Sequence, residues 1–131
     1  MSVEPRQALY AHLRADPGVQ AAVGGRIYQR RAPLDAEKPL IVIHPTISRV
    51  PYRVLDGVAY CRARLQVTAM ADTQPDAEKA ARAVILAAEG FTGMMAGVLN
   101  VILATVDNDR QVDQDVEIYH HVDIMIIYKE D

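Results

Sequence analysis

The 131-residue sequence has a single cysteine, one phenylalanine and no tryptophan. With Cys61 alone, no disulfide can close within the chain, so it does not use the covalent scaffold of small secreted domains. Long apolar runs are also missing. Segments such as residues 40–43 and 101–104 are far too short to cross a bilayer as helices. The N-terminus lacks the basic-then-apolar pattern of a secretory signal, because Ser2, Glu4, Pro5 and Arg6 lead directly into an amphipathic stretch. A cytosolic protein without a membrane anchor is the expectation.

The catalytic vocabulary is equally thin. There is no G-x-S-x-G, C-x-x-C or H-E-x-x-H. Gly24-Gly25 lacks the glycine spacing and the lysine of a phosphate loop. Residues 107–113 open like a calcium loop, yet the sixth position is Val112, the twelfth is Ile118, and Arg110 would intrude on the ligand shell. They read as part of a solvated acidic turn over residues 107–115. His120 and His121 alternate across an extended segment, so their rings face opposite sides and cannot share one metal ion. No catalytic residue, cofactor or metal site is expected.

What is present is a patterned α+β chain. Leu9 and Leu13 lie one helical turn apart, Asp16-Pro17-Gly18 stops that helix, and residues 19–23 add one further turn before Gly24-Gly25. Residues 26–30 and 40–43 read as short strands. From 58 to 71, Cys61, Ala63, Leu65, Val67, Ala69 and Ala71 share one parity, while Tyr60, Arg62, Arg64, Gln66 and Thr68 share the other. This is a long strand with one buried face, and it makes Cys61 an inert core thiol. Thr73, with Asp76 three residues on, caps a helix whose apolar stripe runs through Ala77, Ala80, Ala81, Val84, Ile85 and Ala88. Residues 98–106 and 116–128 are two further strands. The expected fold is one domain over 1–131, with a mixed, mainly antiparallel sheet of four or five strands packed by two main helices.

Charge is unevenly spread. The net charge is −3. Residues 1–64 hold ten Lys/Arg against five Asp/Glu, and residues 105–131 hold two against eight. Such a chain can complement copies of itself. The seven arginines at 26, 30, 31, 49, 53, 62 and 64 invite a nucleic-acid reading, but a pI near 5.8 and the absence of any recognition motif oppose it. Two connections carry interface-like composition. Residues 46–57 hold Arg49, Tyr52, Arg53 and Leu55, and residues 91–97 hold Phe91, Met94 and Met95 beside two glycines. Either connection could instead plug the core. With Asp107, Asp109 and Asp113 of the acidic turn, these residues are the interface candidates.

An ordered series of words runs along nearly the whole chain: Leu9-Tyr10, Leu13-Arg14-Ala15-Asp16-Pro17, Val23-Gly24-Gly25-Arg26-Ile27-Tyr28, Arg31-Ala32-Pro33, Leu65-Gln66-Val67, Ala71-Asp72-Thr73, and a final alternating strand. The series resembles the tail-completion, or tail-terminator, family of long-tailed bacteriophages. One departure is Ala69-Met70, where that family commonly has a tryptophan. The resemblance implies a non-enzymatic virion protein made in the host cytoplasm. It would form a ring, sixfold in that family, that ends the tail tube and joins tail to head connector at the head-proximal end. Its implied partners are its own copies, the tail-tube protein and the head-closure or connector protein, with DNA passing unread through the lumen. The rival from the residues alone is a small dimeric α+β enzyme or ligand-binding module with a pocket between sheet and helices.

Overall fold

The computed structural model describes residues 4–51, 59–114 and 117–130. Helices α1 (Pro5–Ala15) and α2 (Pro17–Val23) open the chain. Asp16 serves both: it follows the last turn of α1, and its carboxylate accepts the Val19 N–H of α2 at 3.0 Å, with Pro17 in the first turn. Gly24 ends α2 at φ 62°, a left-handed conformation that glycine adopts without strain. The N-cap expected at Ser2 lies outside the described residues, and the cap observed for α1 is Glu4.

Strands β1 (Ile27–Gln29), β2 (Leu40–Ile43), β3 (Ser48–Pro51) and β4 (Ala59–Ala71) follow. Then come α3 (Gln74–Ala88), β5 (Gly93–Met95), β6 (Leu99–Gln114) and β7 (Glu117–Glu130). They form one seven-stranded sheet ordered β1-β2-β4-β7-β6-β5, with β3 also paired to β4. Among the described residues only the β1–β2 pair is parallel. The sheet curls into a half-barrel around the three helices.

This corrects the expected four or five strands and two helices. The two missed strands are short and hidden by their composition. β3 lies within the stretch read as a connection, after Pro45 and ending on Pro51, and in register it continues β2 along the same edge of β4. Between them His44 N–H bonds Gln66 O at 3.0 Å and Ile47 N–H bonds Arg64 O at 2.8 Å, so four residues face two. Pro45, which has no N–H to donate, sits in that bulge. β5 is three residues long among glycines. The acidic turn expected at 107–115 is also corrected. Residues 107–114 extend β6, held by pairing with β7 from Asn108↔Asp123 to Gln114↔Glu117. α2 counts as a third helix because Asp16 and Pro17 restart the chain within one residue.

The core lies between the helices and one face of the sheet. Leu9, Leu13, Val19 and Val23 meet Cys61, Leu65, Val67, Ile124 and Ile126, all at most 4% exposed. β4 buries the parity expected of it, and α3 buries Ala77, Ala80, Ala81, Val84 and Ala88 against it. Small alanines let α3 approach the sheet closely, which is how a chain poor in large aromatics reaches interior packing density. His12 ties α1 to the end of α3: its Nε2 lies 2.8 Å from Ala87 O, and its ring meets Phe91 edge-on at 4.7 Å. Among the described residues, no helix is long and apolar enough to cross a membrane.

Candidate functional site

The helices cover one face of the sheet, leaving the other face to the polar parity of β4 and β7. At one end of this helix-free face, residues 30–38 fold over the sheet. They bury Leu40 and Val42, which point away from the helices yet are only 1% and 4% exposed. Under this segment is a cavity of about 370 Å³. Its floor crosses three strands: His44 follows β2, Thr68 is on β4 and His121 is on β7.

The pairing of Thr68 with His121 across the β4–β7 ladder brings these three side chains into one row. His44 Nε2 lies 2.7 Å from Thr68 Oγ1, and that oxygen lies 2.8 Å from His121 Nδ1. A hydroxyl donates one hydrogen and accepts others, so it can bridge two neutral imidazoles. Burial lowers the pKa of both rings. His121 is lowered further by the positive charge of Arg110 and by the neighbouring histidines, with Asp123 opposing. Lys38 closes one side of the cavity, its Nζ 2.6 Å from Glu117 Oε1 and 3.8 Å from Asp72 Oδ1. The pair holds Lys38 above and Glu117 below their ordinary values, mainly through the hydrogen bond between them, and Tyr119 Oη donates to Glu117 at 2.7 Å. No sequence motif pointed to this row, since its members lie 24 and 53 positions apart. The available signal was that Thr68 and His121 sit on the polar parity of adjacent strands.

The interface candidates are scattered. Tyr52, Arg53 and Leu55 lie outside the described residues. Arg49 is on β3, 3.6 Å from Glu4. Phe91 packs against the core and Met95 is fully buried within it, whereas Met94 is 54% exposed. Val98, just before β6, and Ile102 and Leu103 on it are also exposed. The three aspartates all have partners within the subunit. Arg64 Nη1 donates to Asp107 at 2.9 Å, His120 Nε2 lies 3.0 Å from Asp109, and Gln111 Nε2 donates to Asp113 at 3.0 Å. His120 and His121 face opposite sides of the sheet. Among the described residues, no cluster of His, Cys, Asp and Glu could hold a metal ion.

The chain is thus a seven-stranded half-barrel with helices on one face and a long, highly charged β6–β7 hairpin. The architecture matches a chain from a structure titled "Virion of native gene transfer agent (GTA) particle" with a TM-score of 0.80. That match covers 98% of this chain and 96% of the other at 17% identity, a likeness of fold. No curated protein sequence matches. The family model described as "Tail completion protein gp17" matches residues 7–128, and the chain belongs to that family. It is a bacteriophage tail-completion protein, from a family of structural rather than enzymatic proteins.

Proposed function

We propose that this chain closes into a ring, sixfold as its family resemblance implies, that ends the tail tube at its head-proximal end and joins it to the head connector. The observation carrying this reading is the family match over residues 7–128. The distribution of side chains supports it. A heterologous ring joins one patch of a subunit to a different patch of the next, and this chain separates a basic first half from an acidic β6–β7 hairpin. Exposed Met94, Val98, Ile102 and Leu103 supply apolar area that rim charges could not replace. Met94, Asp109 and Asp113, with Tyr52, Arg53 and Leu55, are the contact residues in this reading. DNA passes through the lumen unread, and the tail-tube and connector proteins bind the two rims.

The test is assembly. Sedimentation of the purified protein, alone and with tail tubes lacking it, should show a species near six times the 14.5 kDa subunit and restore joining of tails to heads. A chain that stays monomeric on its own and on tubes, and leaves tails unjoined, overturns the proposal.

A further inference from the structure

The cavity beneath residues 30–38 has features that subunit folding does not account for. Arg30 and Arg31 stand at its mouth, and among the described residues neither guanidinium has an acidic partner within 4 Å. Among the described residues the one carboxylate in the lining, Glu117, is engaged by Lys38 and Tyr119. The floor is mixed: Leu40, Val42 and Met70 are apolar, while His44 and His121 meet at Thr68. We propose that this cavity binds a carboxylate carried on a short apolar stem, with the stem over Leu40, Val42 and Met70 and the carboxylate between the arginines and the histidine row. A guanidinium fork matches a carboxylate in two parallel hydrogen bonds, and an apolar floor favours a hydrocarbon stem over a fully hydrated anion such as phosphate. Two sources offer this chemistry: a glutamate-type side chain of a partner polypeptide, or a free small carboxylic acid. The inference does not depend on ring formation.

Binding carries a proton signature. Burial lowers the pKa of both His44 and His121. The charged groups around them are Arg30, Arg31 and Lys38 on the covering segment, Glu117, His120 and Asp123 on β7, and Arg110 on β6. The cations disfavour a charged imidazole, and an incoming carboxylate offsets them, so it favours the protonated ring and takes up a proton.

The whole protein, with its histidine rings labelled by nitrogen-15, is titrated with butyrate, an acetyl-capped glutamate-containing hexapeptide and inorganic phosphate. Butyrate or the peptide should shift the His44 and His121 signals saturably, with affinity rising as pH falls from 8 to 6 by up to about tenfold per unit for each proton taken up. Arg30→Gln and Arg31→Gln should each weaken binding by about tenfold, the loss of one charge-assisted contact. His121→Gln should flatten the pH dependence while binding at pH 8 persists. Tighter binding of the peptide than of butyrate assigns the site to a partner polypeptide, and equal binding assigns it to a free acid. No saturable shift in the wild-type protein, pH-independent binding, or phosphate binding as tightly as butyrate overturns the proposal, whatever the variants do.

Discussion

On the helix-covered face of the sheet, β4 presents Cys61, Ala63, Leu65, Val67, Ala69 and Ala71, all buried. On the opposite face the same strand presents Arg62, Arg64, Gln66 and Thr68, and only Thr68 is buried. The first face is held by area removed from water, which is non-directional but depends on close-fitting shapes. The second is held by pairings that need specific partners at specific distances: Arg64 to Asp107, Gln66 to Asp123 and Thr68 to two histidines. One strand thus serves a core that needs shape and a surface that needs polar partners.

Breaking each face in turn should give graded effects. Leu65→Ala removes a fully buried side chain from the centre of the core and should cost about 2–5 kcal/mol in denaturant unfolding. A loss under about 1 kcal/mol would mean that the core relaxes around the gap. Thr68→Val keeps the shape and removes the hydroxyl, leaving two half-buried imidazoles without their bridge. A cost of about 1–3 kcal/mol is expected, and a neutral result would show that water replaces the hydroxyl.

Acid should find the same weak point. Both His44 and His121 have lowered pKa values in the folded state, so below the ordinary histidine range the unfolded chain binds more protons. Their contribution is therefore constant above about pH 7 and shrinks as pH falls through the ordinary value near 6.5 toward the depressed ones. Thermal melts between pH 7.5 and 5 should show this fall, and the double variant His44→Gln, His121→Gln should flatten it. The smallest effect belongs to Arg64→Ala. Its partly exposed pair with Asp107 should contribute at most about 1 kcal/mol and less in high salt, so a loss approaching that of Leu65→Ala would invert the comparison.

The regions legible in the sequence are those where one residue's environment repeats along an element. β4 declared itself through parity, and α3 through its threonine cap and alanine stripe. β3 and β5 did not, because three or four residues among prolines and glycines are too few for a period to emerge. Residues 107–114 of β6 failed for a different reason. Both their faces meet solvent, so no alternation between apolar and polar was needed, and only Val112 breaks the polar run. Pairing with β7 overrides the turn-like preference of that composition. The row of His44, Thr68 and His121 was invisible because it exists only once three strands are in register.

The outer edge of β6 has one more consequence. β5 covers it only at residues 99–101, and among the described residues no strand continues that pairing along 108–114. Open backbone donors and acceptors on a strand of this length are a template on which foreign strands can grow into cross-linked precipitates. Here the template is studded with Asp109, Arg110 and Asp113, and a like-charged strand arriving at that edge meets repulsion before any ladder can form. That polar run therefore disfavours edge-to-edge pairing of two subunits. Replacing it with a smoothly alternating apolar strand would improve the local propensity of β6 and raise the risk of aggregation.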